Sequence, residues 1–205
     1  MPSSRAWGRL EPEQTWNQID ERIKAAFAAV PREQFLPKGQ RRHARDDRPL
    51  LIGNEQTNSQ PTTVRNMLAL LDPQPGHRVL DVGSGSGWTC GLLGHLVGPT
   101  GKVYGVELVP ELVAMAVSNL TTSAQPWVSV RQAEKGVLGI PSEAPFDRIL
   151  VSAQATKLPD ALVDQLAREG RMVIPVAGRL AVVDRDASGA VDVRRIGHYA
   201  FVPLK

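Results

Sequence analysis

The sequence has little of several features that define special classes of protein. It contains one cysteine in 205 residues, which excludes an internal disulfide and a cysteine-rich metal centre. No uninterrupted apolar run approaches the ~18 residues that a membrane-spanning helix requires. The opening segment 1–8 also lacks the apolar stretch of a secretion signal. We therefore expect a soluble, cytoplasmic protein.

The sequence also has little imbalance of charge. The 24 Lys and Arg residues against 21 Asp and Glu give a formal net charge of +3, too small for the electrostatic footprint of a nucleic-acid-binding protein. Four scattered histidines follow no metal-ligand spacing. Hydrophobic residues at 42% and charged residues at 22% are typical of a globular domain. We expect one domain over 1–205, a monomer that binds neither metal, nucleic acid nor membrane.

From residue 73 onward, short apolar strands alternate with helices. The predicted strands are 78–82, 102–107, 128–130, 146–151 and 171–176, and the predicted helices are 89–97, 110–120 and 160–167. This alternation is typical of βαβ units and a parallel sheet. Two later runs, 180–184 and 191–196, predict a β-hairpin, and a final strand is expected at 200–202. The sequence predicts a doubly wound α/β domain whose mostly parallel seven-stranded sheet ends in an antiparallel hairpin.

The first 72 residues follow a different pattern. Apolar positions at steps of three or four predict a helix over 15–30, and Pro61 suits the first turn of a second helix. The stretch 32–60 between them is irregular and basic, and such a stretch within a domain is often functional. Its run 41–45 fits either a solvated face or a guide for an acidic substrate. We predict that 1–72 is a helical extension that covers the substrate.

A glycine-rich turn follows the first strand of the core. The loop Asp81–Gly87 carries three glycines at alternate positions, which permit a tight turn and close approach of a ligand. Glu107 ends the next strand, where a carboxylate can accept hydrogen bonds from a ribose diol. The dinucleotide fingerprint G-x-G-x-x-G would need glycine at Trp88, so the spacing disfavours an NAD-dependent oxidoreductase. A plain tight turn with a solvated Glu107 is the alternative to a nucleoside-bearing cofactor.

Motifs along nearly the whole chain, from about Ile23, resemble one family. They lie at 30–37, 47–50, 52–53, 56–57, 59–61, 79–87, 106–108, 110–112, 144–147 and 173–176. The chain resembles the class I S-adenosylmethionine-dependent methyltransferases, which have a Rossmann-like fold, and among them the protein-L-isoaspartate O-methyltransferases. The resemblance implies S-adenosylmethionine as cofactor and methyl transfer to a carboxylate of isoaspartyl residues in damaged proteins or peptides. In the family the ester then closes to a succinimide, and hydrolysis returns some normal aspartate.

The resemblance also implies roles for individual residues. The residues that would hold the methionine part of the cofactor are Asp81, Gly83, Ser84, Gly85 and Gly87. Glu107 would bind the ribose and Leu108 would pack on the adenine. Ser59 matches the serine that faces the reacting carboxylate, which makes it the implied catalytic residue. The implied substrate-binding residues beside it are Thr57, Asn58 and Gln60. Taken alone, Ser59 would also suit the N-cap of the helix at Pro61.

Several positions depart from the family pattern. Lys135 stands where the family places an aspartate that binds the exocyclic amine of adenine, and lysine cannot accept that hydrogen bond. Backbone groups or Glu134 are the alternatives. Asn58 replaces an apolar residue, Glu55 replaces a glycine, and the turn 177–178 is short and lacks a glutamine. Two other functions stay open: methylation of a different peptide carboxylate, such as an aspartate side chain, and peptide binding without turnover.

Overall fold

The structure is a computed structural model, and it describes residues 21–205. The helix predicted over 15–30 is present as α1 (Glu21–Ala29), which buries Ile23 and Ala26. The part of that prediction before residue 21 lies outside the described residues. Two 3₁₀ helices, Arg32–Phe35 and Lys38–His43, follow α1 within the stretch that was expected to be irregular.

A small hairpin then precedes the second helix, and the sequence pattern did not predict it. Strand β1 (Leu50–Gly53) pairs with the antiparallel strand β2 (Gln56–Asn58). The two turn residues Asn54 and Glu55 have φ angles of 50° and 59°, the left-handed conformation that a two-residue type I′ turn requires. Helix α2 (Pro61–Leu71) begins at the predicted proline.

Seven further strands form one sheet. They are β3 (Arg78–Val82), β4 (Lys102–Glu107), β5 (Val128–Gln132), β6 (Phe146–Val151), β7 (Leu166–Val176), β8 (Arg179–Arg185) and β9 (Val191–Ile196). Their order across the sheet is β5-β4-β3-β6-β7-β8-β9. The first five are parallel, β8 runs antiparallel to β7, and β9 runs antiparallel to β8. The predicted mostly parallel sheet with an antiparallel hairpin is confirmed.

An apolar core covers each face of the sheet. Because successive residues of a strand point to opposite faces, neighbouring residues belong to different cores. Val79 belongs to the apolar core shared with α1 and α2, whereas Leu80 belongs to the core on the other face. The remaining α-helices are α3 (Trp88–Val97), α4 (Pro110–Thr121) and the single turn α5 (Asp160–Val163), and a third 3₁₀ helix lies at Pro141–Glu143. Among the described residues, no helix has the length and apolar character needed to cross a membrane.

Two predicted elements are wrong. The helix predicted over 160–167 ends at Val163, because the chain turns at Gln165 and enters β7. The Gln165 backbone oxygen accepts a hydrogen bond from Phe146 at 2.9 Å, and its side-chain amide bonds the backbone of Ile140 at 2.7 Å. The strand predicted at 200–202 is absent. Pro203, the residue after that segment, makes instead one isolated parallel bridge with Gln154.

The topology locates the site. Strands β3 and β6 are neighbours, but the chain leaves β3 toward β4 on one side and reaches β6 only later on the other side. Ligands of open α/β sheets bind beyond the carboxyl ends of the strands at such a switch point. The loop Gly83–Gly87 leaves β3 at this position.

Candidate active site

A cavity of about 950 Å³ opens at the carboxyl ends of the parallel strands. Its walls come from stretches within 56–59, 82–89, 106–109, 132–139, 152–159 and 202–205. This volume is within the ~300–1,000 Å³ range of sites for small molecules and cofactors. The predicted glycine loop and the loop 57–60 that carries the predicted substrate-binding residues (the acceptor loop) therefore border the same space.

The glycine loop is fastened to the neighbouring strand. The backbone N–H groups of Gly83 and Ser84 both donate to the carbonyl oxygen of Val106, at 2.9 and 3.1 Å. Gly83, Gly85 and Gly87 all have left-handed φ angles, at 77°, 53° and 90°. A Cβ at Gly87 would lie 3.1 Å from the Ala116 Cβ, so glycine is needed where α3 starts against α4. Gly83, Ser84 and Gly85 line the cavity, whereas Gly87 is the N-cap of α3 and does not.

Glu107, the last residue of β4, also holds the loop. Its Oε2 accepts a hydrogen bond from Gly85 N–H at 2.9 Å, and its Oε1 accepts one from Val109 N–H at 3.0 Å. Each carboxylate oxygen keeps a second lone pair for another donor. Glu107 is 8% exposed and lines the cavity, and beside it Leu108 is 42% exposed. This pair offers acceptors for a diol next to an apolar surface for a flat ring.

Asp81 lies one layer below the cavity and does not line it. It is fully buried, and its Oδ2 accepts hydrogen bonds from the Thr89 hydroxyl and, at 3.2 Å, from the Cys90 thiol. Burial raises the pKa of Asp81 to about 6, and the nearby charge of Glu107 acts in the same direction. Thr89 itself lines the cavity. Asp81 is therefore linked to the cavity by its hydrogen bond with Thr89. The sequence pattern did not indicate Thr89 as a site residue.

Ser59 lines the cavity. Its hydroxyl has no hydrogen-bond partner in the described part of the chain, and it does not cap α2. The N-cap is Gln60, and the first N–H of the helix, that of Thr62, donates to Asp47 Oδ1 at 2.9 Å. Burial alone would raise the pKa of Asp47, but hydrogen bonds from Thr62 and Gln60 outweigh it and lower that pKa. The Ser59 hydroxyl is left available to a ligand.

The three predicted substrate-binding residues have different surroundings. Thr57 lines the cavity. Asn58 contributes to the wall, but its side-chain amide is bonded to Arg32 and Ser86. Gln60 does not line the cavity, and its side-chain amide donates to Asp47 at 3.0 Å. Of these three side chains, only that of Thr57 lines the cavity without a hydrogen bond to another described residue.

The loops after β5 and β6 and the segment 202–205 complete the walls. They bring Lys135, Lys157 and Lys205 to the cavity, together with Glu134. Lys135 has no ion-pair partner among residues 21–205. Sequence reasoning missed Lys157 and Lys205. The position of Lys157 after a parallel strand would have indicated it, because all such strand ends meet at one edge.

These features fit a nucleoside-bearing cofactor. The loop needs glycine backbone angles, the strand-end carboxylate has free acceptor capacity, and the cavity has the required volume. A Rossmann-like sheet with this loop at its switch point has the architecture of a class I methyltransferase.

Comparison with known sequences identifies the family within that class. The family model of protein-L-isoaspartate(D-aspartate) O-methyltransferase matches residues 11–205. The chain is 46% identical over 187 residues to the protein-L-isoaspartate O-methyltransferase of Aeropyrum pernix, covering 89% of this chain and 72% of that protein. It is 45% identical over 188 residues to the Methanopyrus kandleri enzyme of the same name, covering 89% and 83%. The chain belongs to this family.

Solved structures are similar to the described fold. A protein-L-isoaspartate O-methyltransferase structure matches with a TM-score of 0.82 at 23% identity, covering 91% of this chain and 62% of that one. A Plasmodium falciparum protein assigned to the same activity, in complex with S-adenosyl-L-homocysteine, matches with a TM-score of 0.80 at 25% identity and covers 94% of each chain.

Proposed function

We propose that the protein transfers a methyl group from S-adenosylmethionine to a carboxylate of isoaspartyl residues in damaged proteins or peptides. One observation carries the proposal. In a chain of this family, the glycine loop with Glu107 and the loop with Ser59 border a single cavity. The two substrates of a methyl transfer would therefore meet there.

The cofactor side of the cavity would be formed by the glycine loop and the end of β4. Backbone groups of Gly83, Ser84 and Gly85 would hold the methionine part, Glu107 the ribose, and Leu108 the adenine. Asp81 would orient Thr89 beneath them. When bound, S-adenosylmethionine supplies a methyl group that is already activated by its positively charged sulfur.

The acceptor side has a modest chemical task. A carboxylate is already ionised at neutral pH, so no general base is required. Ser59 would hold the acceptor oxygen in line with the methyl group, and orientation of this kind contributes ~7 to 11 kcal/mol. Lys157 and Lys205 on the same walls favour a negatively charged acceptor.

The proposal includes one methyltransferase domain over 1–205, with 1–72 as a helical segment that covers the substrate and 73–205 as the cofactor-binding α/β core. The shared apolar core of α1, α2 and the sheet supports this organisation. We further propose a cytoplasmic monomer that acts without nucleic acid. The net charge of +3 and the single buried cysteine support these points. Of five exposed large hydrophobic side chains on the described surface, two line the cavity, which leaves little for a stable dimer.

The decisive experiment offers labelled S-adenosylmethionine with two matched peptides, one containing isoaspartate and the other aspartate at the same position. We expect base-labile methyl ester on the isoaspartyl peptide in clear preference. Equal labelling of both peptides would favour a different carboxylate acceptor. Peptide binding without any ester would favour a binding module that has lost turnover.

The role of Ser59 has its own test. Ser59→Ala should lower kcat for the isoaspartyl peptide while leaving the calorimetric affinity for S-adenosylhomocysteine within about twofold, because the hydroxyl faces the acceptor. Thr62→Ala, which removes one of the groups bonded to Asp47, is the control for effects on the helix start. A Ser59→Ala variant with unchanged kcat would exclude the assigned role.

A further inference from the structure

A chain of three buried side chains crosses from the acceptor loop to the glycine loop. The Asn58 side-chain amide donates to the Ser86 hydroxyl oxygen at 3.3 Å, and its Oδ1 accepts from Arg32 Nε at 2.8 Å. Arg32, Asn58 and Ser86 are 5%, 5% and 2% exposed. Asn58 immediately precedes Ser59, and Ser86 lies within the glycine loop. The two loops are thus joined by a side-chain hydrogen bond between two residues of the cavity wall, Asn58 and Ser86.

The β1–β2 hairpin explains why Asn58 points this way. Asn58 pairs with Leu50 and Thr57 pairs with Leu51, and directly opposed residues of an antiparallel pair share one face. Leu50 is 1% exposed and Leu51 is 59% exposed. The Asn58 face is therefore the buried one, and the Thr57 face is the open one. An amide on the buried face needs polar partners, since burying it unpaired is costly.

Arg32 supplies one of those partners and fixes the rest of the loop. Its guanidinium donates to the backbone oxygens of Asp46, Arg48, Asn58 and Ser59, at 3.0, 2.9, 3.1 and 2.9 Å. It also lies 5.4 Å from the centre of the Trp88 ring, at the start of α3. Burial lowers the pKa of Arg32 to about 10, so the group stays charged at neutral pH. One buried cation thus holds the acceptor loop by its backbone.

We propose that Asn58 is a positioning residue that transmits the position of the glycine loop to Ser59 through Ser86 and Arg32. The inference rests on the proposed function for the identity of the two substrates. Ligand binding at the glycine loop restricts the motion of Ser86. Because Asn58 is bonded to Ser86, the motion of the adjacent Ser59 is then restricted as well. Cofactor binding therefore raises the affinity for the acceptor peptide. By linkage, the acceptor peptide raises the affinity for the cofactor by the same factor. An apolar residue at this position would pack in the same space without making the connection.

The test compares Asn58→Leu with a matched control, Asn119→Leu. Asn119 is also an asparagine bonded to Ser86, donating to its backbone oxygen at 3.0 Å, but it lies on α4 and does not contact the acceptor loop. Asn58→Leu removes the side-chain bonds to both Ser86 and Arg32. We expect it to lower kcat/KM for the isoaspartyl peptide about tenfold or more, because the loss of the Asn58–Ser86 bond alone has an effect of about that size. Its affinity for S-adenosylhomocysteine without peptide should stay within about twofold. Asn119→Leu should leave kcat/KM within about twofold.

A second variant tests the same hydrogen bond in case Asn58→Leu does not fold. Ser86→Ala removes the same hydrogen bond while keeping the Asn58–Arg32 contact, and it should reproduce the loss. Combined with Asn58→Leu it should add little, because both changes break one connection. If Ser86→Ala and Asn58→Leu change only thermal stability, leaving kcat/KM at the wild-type value, the link is merely structural and the proposal is overturned.

Hydrogen exchange separates this proposal from the proposed function. S-adenosylhomocysteine should slow amide exchange at 83–87 and also at 57–60 in the wild-type protein. Ser86→Ala should keep the protection at 83–87 and lose it at 57–60. This readout needs no turnover, so a wild-type protein without methyl transfer would refute the function and leave the link testable. Unchanged protection at 57–60 in Ser86→Ala would refute the link in an active enzyme.

Discussion

Asp81 makes the stability of the protein depend on pH in an unusual direction. The pKa of this fully buried carboxyl rises from 3.8 to about 6, so the folded protein holds the proton that the unfolded chain releases. The stabilising contribution is complete below about pH 4 and is lost as pH rises to about 6. Roughly two pH units at ~1.4 kcal/mol each give about 3 kcal/mol. Above pH 6 the folded protein carries the cost of a buried charge.

Replacing Asp81 with Asn removes this ionisation and keeps the shape of the side chain. Urea unfolding at several pH values from 4.5 to 7.5 should show that Asp81→Asn gains about 2 kcal/mol of stability relative to wild type over this range, because about 1 of the 3 kcal/mol is already lost at pH 4.5. The control is Asp186→Asn. Hydrogen bonds from the turn between β8 and β9, from Ser188 first, lower the pKa of Asp186, so its ionisation does not change over this pH range.

The difference between the two unfolding curves is the informative quantity, since other titrating groups cancel in it. A difference between wild type and Asp81→Asn that stays constant within about 0.5 kcal/mol from pH 4.5 to 7.5 would refute the reasoning, because uncertainty in extrapolated unfolding energies is of that order. It would mean that Asp81 keeps its ordinary pKa despite complete burial.

Three further predictions concern the cavity and its hairpin. Glu107→Gln should weaken S-adenosylhomocysteine binding by roughly 1.5 to 3 kcal/mol in calorimetry, the range for hydrogen bonds to a charged group, and unchanged affinity in a folded variant would exclude a role in binding the ribose. Glu55→Gly should raise the free energy of unfolding by about 1 kcal/mol, because Glu55 has a left-handed φ of 59°; an unchanged urea midpoint would show that the turn is unstrained. Lys135→Asp should strengthen S-adenosylhomocysteine binding by about 1 kcal/mol if it restores an acceptor for the adenine amine, and weaker binding would show that the loop differs locally from the family pattern.

The sheet was predictable from sequence, because its strands are short apolar runs separated by turns and helices. The glycine loop and Glu107 were predictable because their chemistry depends on local spacing. The β1–β2 hairpin was not, since a four-residue and a three-residue strand carry too little pattern and their turn contains no glycine at either central position. The end of α5 was also missed, because it depends on contacts of Gln165 with distant residues of the chain.

Side-chain direction explains most of the differences between the predicted and the observed site residues. Sequence order places Asn58 and Gln60 beside Ser59, but the strand alternation turns Asn58 inward, and Gln60 bonds Asp47. Asp81 belongs to the loop motif, yet the last residues of β3 are buried on both faces. Such orientations follow from pairing partners that lie far away in the sequence.

The way in which Arg32 holds the acceptor segment has a consequence for how this region can change. Its bonds to Asp46, Arg48 and Ser59 are made to backbone oxygens, which every amino acid carries. Side chains at 46 and 48 can therefore be exchanged without removing these anchors. The segment combines a fixed path with a variable surface, much as antibody loops vary on a constant framework. With Arg32 kept, we expect substitutions at these two positions to leave the path of the segment unchanged.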